Sequence, residues 1–149
     1  MAIIVVLTIV AYLLPSKIHV ERAVVINAPA DTVFKEVNDL KRWSQWSPWH
    51  LMDPDANYDY SGPDSGVGAT AHWKGEKVGE GQQTIKKSEP YTAISTSLDF
   101  GDQGVASSDW TFTSEGDGTK VVWGFDTDMG MNPISRYFGL VMDRMIGAD

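Results

Sequence analysis

The chain has 149 residues, 42% hydrophobic and 21% charged, which is enough apolar material for one buried core and too much for a disordered chain. Twelve Lys and Arg against twenty Asp and Glu give a formal charge of −8, and with no basic run to offset it nucleic acid is excluded as a partner. Cysteine is absent, so thiol chemistry, thiolate metal sites and disulfides are excluded too, whereas tryptophan is in excess at Trp43, Trp46, Trp49, Trp73, Trp110 and Trp123.

Residues 1–14, MAIIVVLTIVAYLL, carry no charge, and Pro15 followed by Lys17, His19, Glu21 and Arg22 ends the run. A helix of that length is about 21 Å long, short of the ~30 Å hydrocarbon layer, so the segment falls between a signal-peptide core and a short membrane anchor. Nothing basic precedes Ile3 and no Ala-x-Ala follows Leu14, which favours an uncleaved anchor. Residues 1–15 are therefore read as a hydrophobic N-terminal segment outside the folded core, and a membrane is the expected location and partner. Lys17, Arg22, Lys35, Lys41 and Arg42 all follow it and would hold the rest of the chain on the cytoplasmic side, unless further basic residues stand upstream. The side of the membrane and the oligomeric state are left open.

From His19 the pattern turns to alternation, with Val20, Arg22, Val24 and Ile26 on one parity, and Asn27-Ala28-Pro29 closes this first strand. The Ala30-Asp31-Thr32 step can cap a helix whose apolar positions Val33, Phe34 and Val37 have helical spacing, with Leu40 and Trp43 continuing the face. Asn38-Asp39 divides it into two short helices. Beyond Trp49, clusters of Gly, Pro, Asp and Ser separate strand-like runs at 69–74, 82–87, 93–100, 108–114 and 120–126, spaced as in an antiparallel meander, the last two joined by a hairpin at Glu115-Gly116-Asp117-Gly118. Asn132-Pro133 then opens a helix with Ile134, Tyr137, Phe138, Val141, Met142, Met145 and Ile146 on one stripe, a face expected to bury itself on the sheet. The reading is one α+β domain over residues 19–149.

The element order, with the phrases VERAVVINAPADTVFKEVNDLKRWSQWSPW, YSGPDSGVGATAHWKG, EGDGTKVVWGF and NPISRYFGLVMDRMIG, resembles the SRPBCC superfamily, in particular its START-like, polyketide cyclase/dehydrase-type proteins. The resemblance runs from Val20 to Asp149. It implies a helix-grip fold, in which a curved antiparallel sheet wraps around a long C-terminal helix and encloses a cavity for a hydrophobic ligand. It also implies a closing helix several turns longer than the residues up to Asp149 supply, so this helix is expected to be truncated.

Strand parity places Ala71 and Trp73, Gln83 and Ile85, Ile94, Thr96, Leu98 and Phe100, Trp110 and Phe112, and Val121, Trp123 and Phe125 on the inner face. With the stripe of the last helix opposite, the expected ligand-contacting set is Trp73, Ile85, Leu98, Trp110, Phe112, Trp123, Phe125, Tyr137, Phe138 and Met142, since flat rings and thioethers adapt to apolar ligands. The same residues would equally fill a solid core. Trp43, Trp46 and Trp49, three residues apart, would form a pocket entrance or membrane-interface cluster, or pack the short helices on the sheet.

Metal and nucleotide chemistry finds no support in the spacing. Asp53, Asp55, Asn57, Asp59 and Asp64 mimic a calcium loop, but Tyr58 stands where the sharp turn needs Gly. Gly66-Val67-Gly68-Ala69-Thr70-Ala71 leads into a strand, not a helix, and Ser65 is one residue out of register with a nucleophile elbow. No two histidines share a metal-ligand spacing, so no metal and no cofactor is expected. For acid–base catalysis His72 has outward parity, His50 is read in a loop and His19 adjoins the apolar segment, while Asp99, Asp109 and Asp126 fall on the outer face and Asp128 follows them. Three functions remain: a membrane-tethered binding module for a hydrophobic small molecule or lipid, the favoured reading; a polyketide cyclase/dehydrase-like enzyme acting on an apolar substrate; and a non-catalytic, partner-binding envelope domain with a dry core. The catalytic residues stay unknown.

Overall fold

The computed structural model describes residues 2–146. Helix α1 (Ala2–Leu13) leads into strand β1 (Lys17–Ile26), followed by α2 (Ala30–Asn38), a 3-10 turn over Leu40–Gln45 and the short helix α3 (Pro48–Met52). Strands β2 (Asn57–Ser61), β3 (Thr70–Gly75), β4 (Gly79–Glu89), β5 (Ala93–Asp99), β6 (Val105–Glu115) and β7 (Gly118–Asp128) come next, then α4 (Pro133–Ile146). The strands form one antiparallel sheet in the order β1-β7-β6-β5-β4-β3-β2, so the first strand closes against the last and the others follow as a meander. A register shift between Ile85 and Lys87 marks a bulge in β4, which bends that strand. The α+β class, the two short helices after the first strand and the 115–118 hairpin match the sequence reading.

Strand β2 was not expected. Its residues alternate Tyr58 and Tyr60 with Asn57, Asp59 and Ser61, a short and polar run whose weak strand signal is satisfied by pairing with β3. The carboxylate of Asp53, at the start of the calcium-like spacing, is buried and accepts the backbone amides of Lys77 at 2.9 Å and Val78 at 3.3 Å. It fastens the β3–β4 turn.

Inward parity holds along the sheet, but its residues meet two environments. Ile85, Ile94, Phe112 and Val121 are buried beneath Val33, Phe34 and Val37 of α2, with Leu40 and Trp43 alongside. Phe34 meets Phe112 edge-on at 5.5 Å. Each such side chain contributes about 1.5–3 kcal/mol by leaving water, and α2 is held by its amphipathic face, with no side-chain cap among the described residues.

The C-terminal helix departs from the expected grip. Over 14 residues α4 packs against α1 and the edge strand β1, and Ile134 is 78% exposed and Val141 44%. Close approach at Gly139 seats α4 on Ile18: a Cβ there would collide with the Ile18 side chain. The Arg136 guanidinium donates to the carbonyls of Tyr12 at 3.0 Å and Leu14 at 3.1 Å, and the Tyr137 hydroxyl donates to Leu7 O at 2.6 Å. The physical reason is the unmet carbonyls at the end of α1, which draw a cation. No helix among the described residues is long and apolar enough to cross a membrane.

Candidate functional site

Where α2 stops covering the inner face, a cavity of about 780 Å³ opens between the sheet, α3 and the β7–α4 connection. That volume suits a drug-sized or lipid-like molecule. Its walls come from Trp73 of β3, Gln83 of β4, Leu98 of β5, Ser108 of β6, and Trp123 and Phe125 of β7, with Trp49 and Met52 of α3 and Met129 beyond β7 across from them. The lining is mainly apolar and aromatic. Trp73 owes its position to a glycine: it pairs across the strands with Gly81, where a Cβ would strike the indole ring.

Of the ten side chains expected to contact ligand, Trp73, Leu98, Trp123 and Phe125 line this cavity. Ile85 and Phe112 share their parity but are sealed under α2, at 0% and 4% exposure. Trp110 lies in a tryptophan cluster with Trp43 at 5.7 Å, Trp46 at 5.9 Å and Trp123 at 6.2 Å, and its indole N–H has no partner among the described residues. Tyr137 is turned to α1 by its bond to Leu7, because α4 does not cross the sheet. The side chains of Phe138 and Met142 lie outside the described residues.

The three early tryptophans divide. Trp43 donates to Val37 O at 3.0 Å and Trp46 to Glu36 O at 3.2 Å, which pins the 3-10 turn to α2, so these two pack the short helices, with Trp43 also at the inner edge of the cavity. Trp49 is 47% exposed and stands at the cavity wall.

The polar groups of the wall are of three kinds. Gln83 Nε2 donates to Thr96 Oγ1 at 3.1 Å, and Thr96 and Ser108 share a hydrogen bond at 3.0 Å, so this buried row is internally paired. Lys77, Asp102 and Asp128 also border the cavity, but each is exposed to solvent. Ser47 and His50 are different. Ser47 is 1% exposed and its hydroxyl has no hydrogen bond among the described residues, a deficit of about 1–3 kcal/mol for a buried group.

His50, expected in a loop, sits in α3 and borders the cavity, stacked on Tyr58 at 4.0 Å and 14° between planes. Neither ring nitrogen has a partner among the described residues, and burial holds the imidazole below its ordinary pKa of 6.5, so it is neutral at pH 7. Burial, then Tyr60 and Asp53, push the Tyr58 phenol up. Sequence reasoning misses this pair because His50 reads as a loop residue, although Ser47-Pro48 is the signature of a helix start with Pro in the first turn. Ser108 shares the inward parity of Trp110 and was legible from it.

On the outer face, Asp126 accepts from His19 Nδ1 at 2.7 Å, Asp109 accepts from the Ser95 hydroxyl, and Asp99 accepts from Gly101 N at 2.8 Å. These carboxylates and the exposed His72 sit away from the cavity wall.

A seven-stranded antiparallel sheet with short helices over one face and an apolar cavity beside them is an α+β fold consistent with the helix-grip class, without a long C-terminal helix across the sheet. Over residues 17–149 the chain belongs to the polyketide cyclase / dehydrase and lipid transport family, of the SRPBCC, START-like type that binds hydrophobic ligands. Its fold is similar to that of Ara h 8.0201, with a TM-score of 0.62 at 13% identity, covering 88% of this chain and 91% of that one. A protein from Arthrobacter aurescens is similar with a TM-score of 0.62 at 13% identity, over 87% and 80% of the two chains. Protein CV1439 from Chromobacterium violaceum gives 0.56 at 16% identity, over 90% and 99%. No curated protein matches the chain significantly in sequence.

Proposed function

We propose that the protein is a membrane-tethered binding module for a hydrophobic small molecule or lipid, held against Trp73, Leu98, Trp123 and Phe125. The observation that carries this reading is the cavity of about 780 Å³ on the inner face, walled by aromatic and aliphatic side chains. Tethering rests on α1, which has apolar side chains on every side: Ile3, Ile4, Val5, Val6, Leu7, Ile9 and Leu13 are each at least half exposed. Such a helix has no face suited to water. At about 18 Å it suits a shallow or tilted seat in a bilayer better than a full crossing.

Native mass spectrometry of the full chain, released from detergent, tests ligand binding: a co-purifying apolar molecule of defined mass is expected, and its loss in Trp123→Ala would place it at this wall. A clean apo mass, together with unchanged tryptophan emission across a panel of apolar ligands, would overturn the reading. For tethering, the full chain should float with phosphatidylcholine vesicles and Leu7→Glu should not.

A second reading, a cyclase/dehydrase-like activity, is favoured by one observation: a neutral imidazole, that of His50, borders the cavity, with its ring nitrogens covered in this conformation. Turnover of an apolar substrate abolished by His50→Phe would raise it above binding alone.

A further inference from the structure

The apolar helix α1 and the cavity lie at the same end of the sheet. Lys17, the first residue of β1, pairs with Asp128, the last of β7. The β5–β6 loop and the β3–β4 turn are at that end too, and there Gly104, Lys77 and Val78 border the cavity. The link from α1 to the cavity is short. Ser16 O accepts from Met129 N at 2.7 Å, and Arg136, in the first turn of α4, donates to Tyr12 O and Leu14 O. Met129 borders the cavity, as does Ser135 beside Arg136. The C-terminal end of α1 therefore lies within about 10 Å of the cavity rim, a residue or two of chain plus the reach of an arginine side chain.

The rim exposes large apolar side chains on both sides. At the start of α4, Met131 is 71% exposed and Ile134 78%, flanking Asn132 and Ser135 of the cavity border. On α3, Leu51 is 70% exposed and stands beside Met52, itself at the border and 47% exposed. Single exposed apolar residues are ordinary, but a group of them around one opening marks a contact surface.

We propose that this rim docks on the same bilayer that seats α1, so that the cavity opens onto the membrane; this rests on the reading of α1 as a membrane tether. A bilayer is the occupant because α1, apolar on every side, commits this end of the sheet to lipid, and the rim is held against the end of α1 by Arg136. Charge selects the lipid. The chain carries −8, and Asp102 and Asp128 outnumber Lys77 among the charged residues bordering the cavity, so the surface suits zwitterionic headgroups and not anionic ones.

The chain has no cysteine, so single cysteines can be introduced and labelled with a nitrobenzoxadiazole dye. Leu7→Cys, Leu51→Cys, Ile134→Cys and Val67→Cys all change residues at least half exposed, and each labelled full chain is bound to phosphatidylcholine vesicles with and without nitroxide-labelled lipid. Val67 precedes β3, at the opposite end of that strand from Lys77 and Val78, and is the control. Nitroxide lipid should lower the emission at Leu7, Leu51 and Ile134 by about twofold or more, as expected for side chains that enter the interface, and leave Val67 unchanged. Replacing part of the phosphatidylcholine by phosphatidylserine should not increase the quenching. Quenching at Leu7 without quenching at both Leu51 and Ile134 overturns the docking and leaves the tether standing. Quenching at none of the four sites overturns both. Equal quenching at Val67 overturns the docking by showing that the domain has no fixed orientation on the membrane, and a gain with phosphatidylserine at Leu51 and Ile134 overturns the zwitterionic surface. A blue-shifted dye at Leu51 or Ile134 that nitroxide lipid does not quench assigns the rim to a second copy of the chain and overturns the bilayer.

Discussion

The two ends of the inner sheet face are built from the same pattern and reach opposite outcomes. At one end Ile85, Ile94, Phe112 and Val121 lie under α2 and are packed solid. At the other, Leu98, Trp123 and Phe125, on the same strands and the same face, border open volume. Composition does not separate them, since both ends are apolar and aromatic. What separates them is the covering element: α2 brings Val33, Phe34 and Val37 down onto one end, whereas α4 turns aside to α1 and β1. Under α2 the inward residues are sealed on every side, whereas at the other end Phe125 is buried with Val20 and Ala106, and Leu98 and Trp123 pack against them only in part, leaving one flank on the cavity.

The sharpest way to break this comparison uses one strand. Ile94 and Leu98 are both on β5 and face the same way, four residues apart. Ile94→Ala, at a site with 0% exposure, should lose about 2–5 kcal/mol in urea unfolding, while Leu98→Ala should lose about 1 kcal/mol, because its side chain already borders a void, and should instead weaken ligand binding. Equal losses would show that the cavity end is packed as tightly as the core.

A smaller effect is expected from Gly81→Ala. The new methyl has to displace the Trp73 indole, so a loss of about 1–3 kcal/mol should accompany a shift in tryptophan emission. An unchanged spectrum would mean that Trp73 does not lie against Gly81.

The smallest effect separates the outer face from the cavity wall by pH, in NMR titrations of the two histidines. The Asp126 hydrogen bond and charge, with Glu21 nearby, raise His19 above its ordinary 6.5, and Asp126→Asn should bring it down. Its contribution to stability is full below the unfolded value and is lost as pH rises through the raised folded value. His50 is shifted down by burial, so the unfolded chain takes up its proton first, and stability held above pH 6.5 declines as pH falls towards the folded value. Asp102 and Asp128, with Lys77, are the charged groups bordering the same cavity. A His50 titrating at or above 6.5 would mean that the ring is hydrated and the cavity wall is open to water.

Much of the fold was legible because its signals are local. Alternation marked β3 to β7, Val33, Phe34 and Val37 marked the buried face of α2, and Gly116 at φ 59° marked the hairpin turn. Strand β2 was not, because only two tyrosines among Asn57, Asp59 and Ser61 carry its alternation and its pairing with β3 is a tertiary event. At the site, parity identified Trp73, Leu98, Trp123 and Phe125 as inward but assigned Ile85 and Phe112 the same role, since parity reports a face and not what lies above it. Ser47 and His50 left only the Ser-Pro helix start as a signal, and nothing in that dipeptide announces that the hydroxyl and imidazole are unpaired.

By itself, then, the sequence determined the α+β class, the strand parity, the family resemblance and the apolar character of residues 1–14, all of which follow from spacing and residue type over short windows. Only the tertiary structure decided where α4 goes, which half of the inner face is filled, and which buried polar groups go without partners. Those depend on contacts such as Arg136 with the end of α1, between residues more than 120 positions apart, and no periodicity within one segment encodes them.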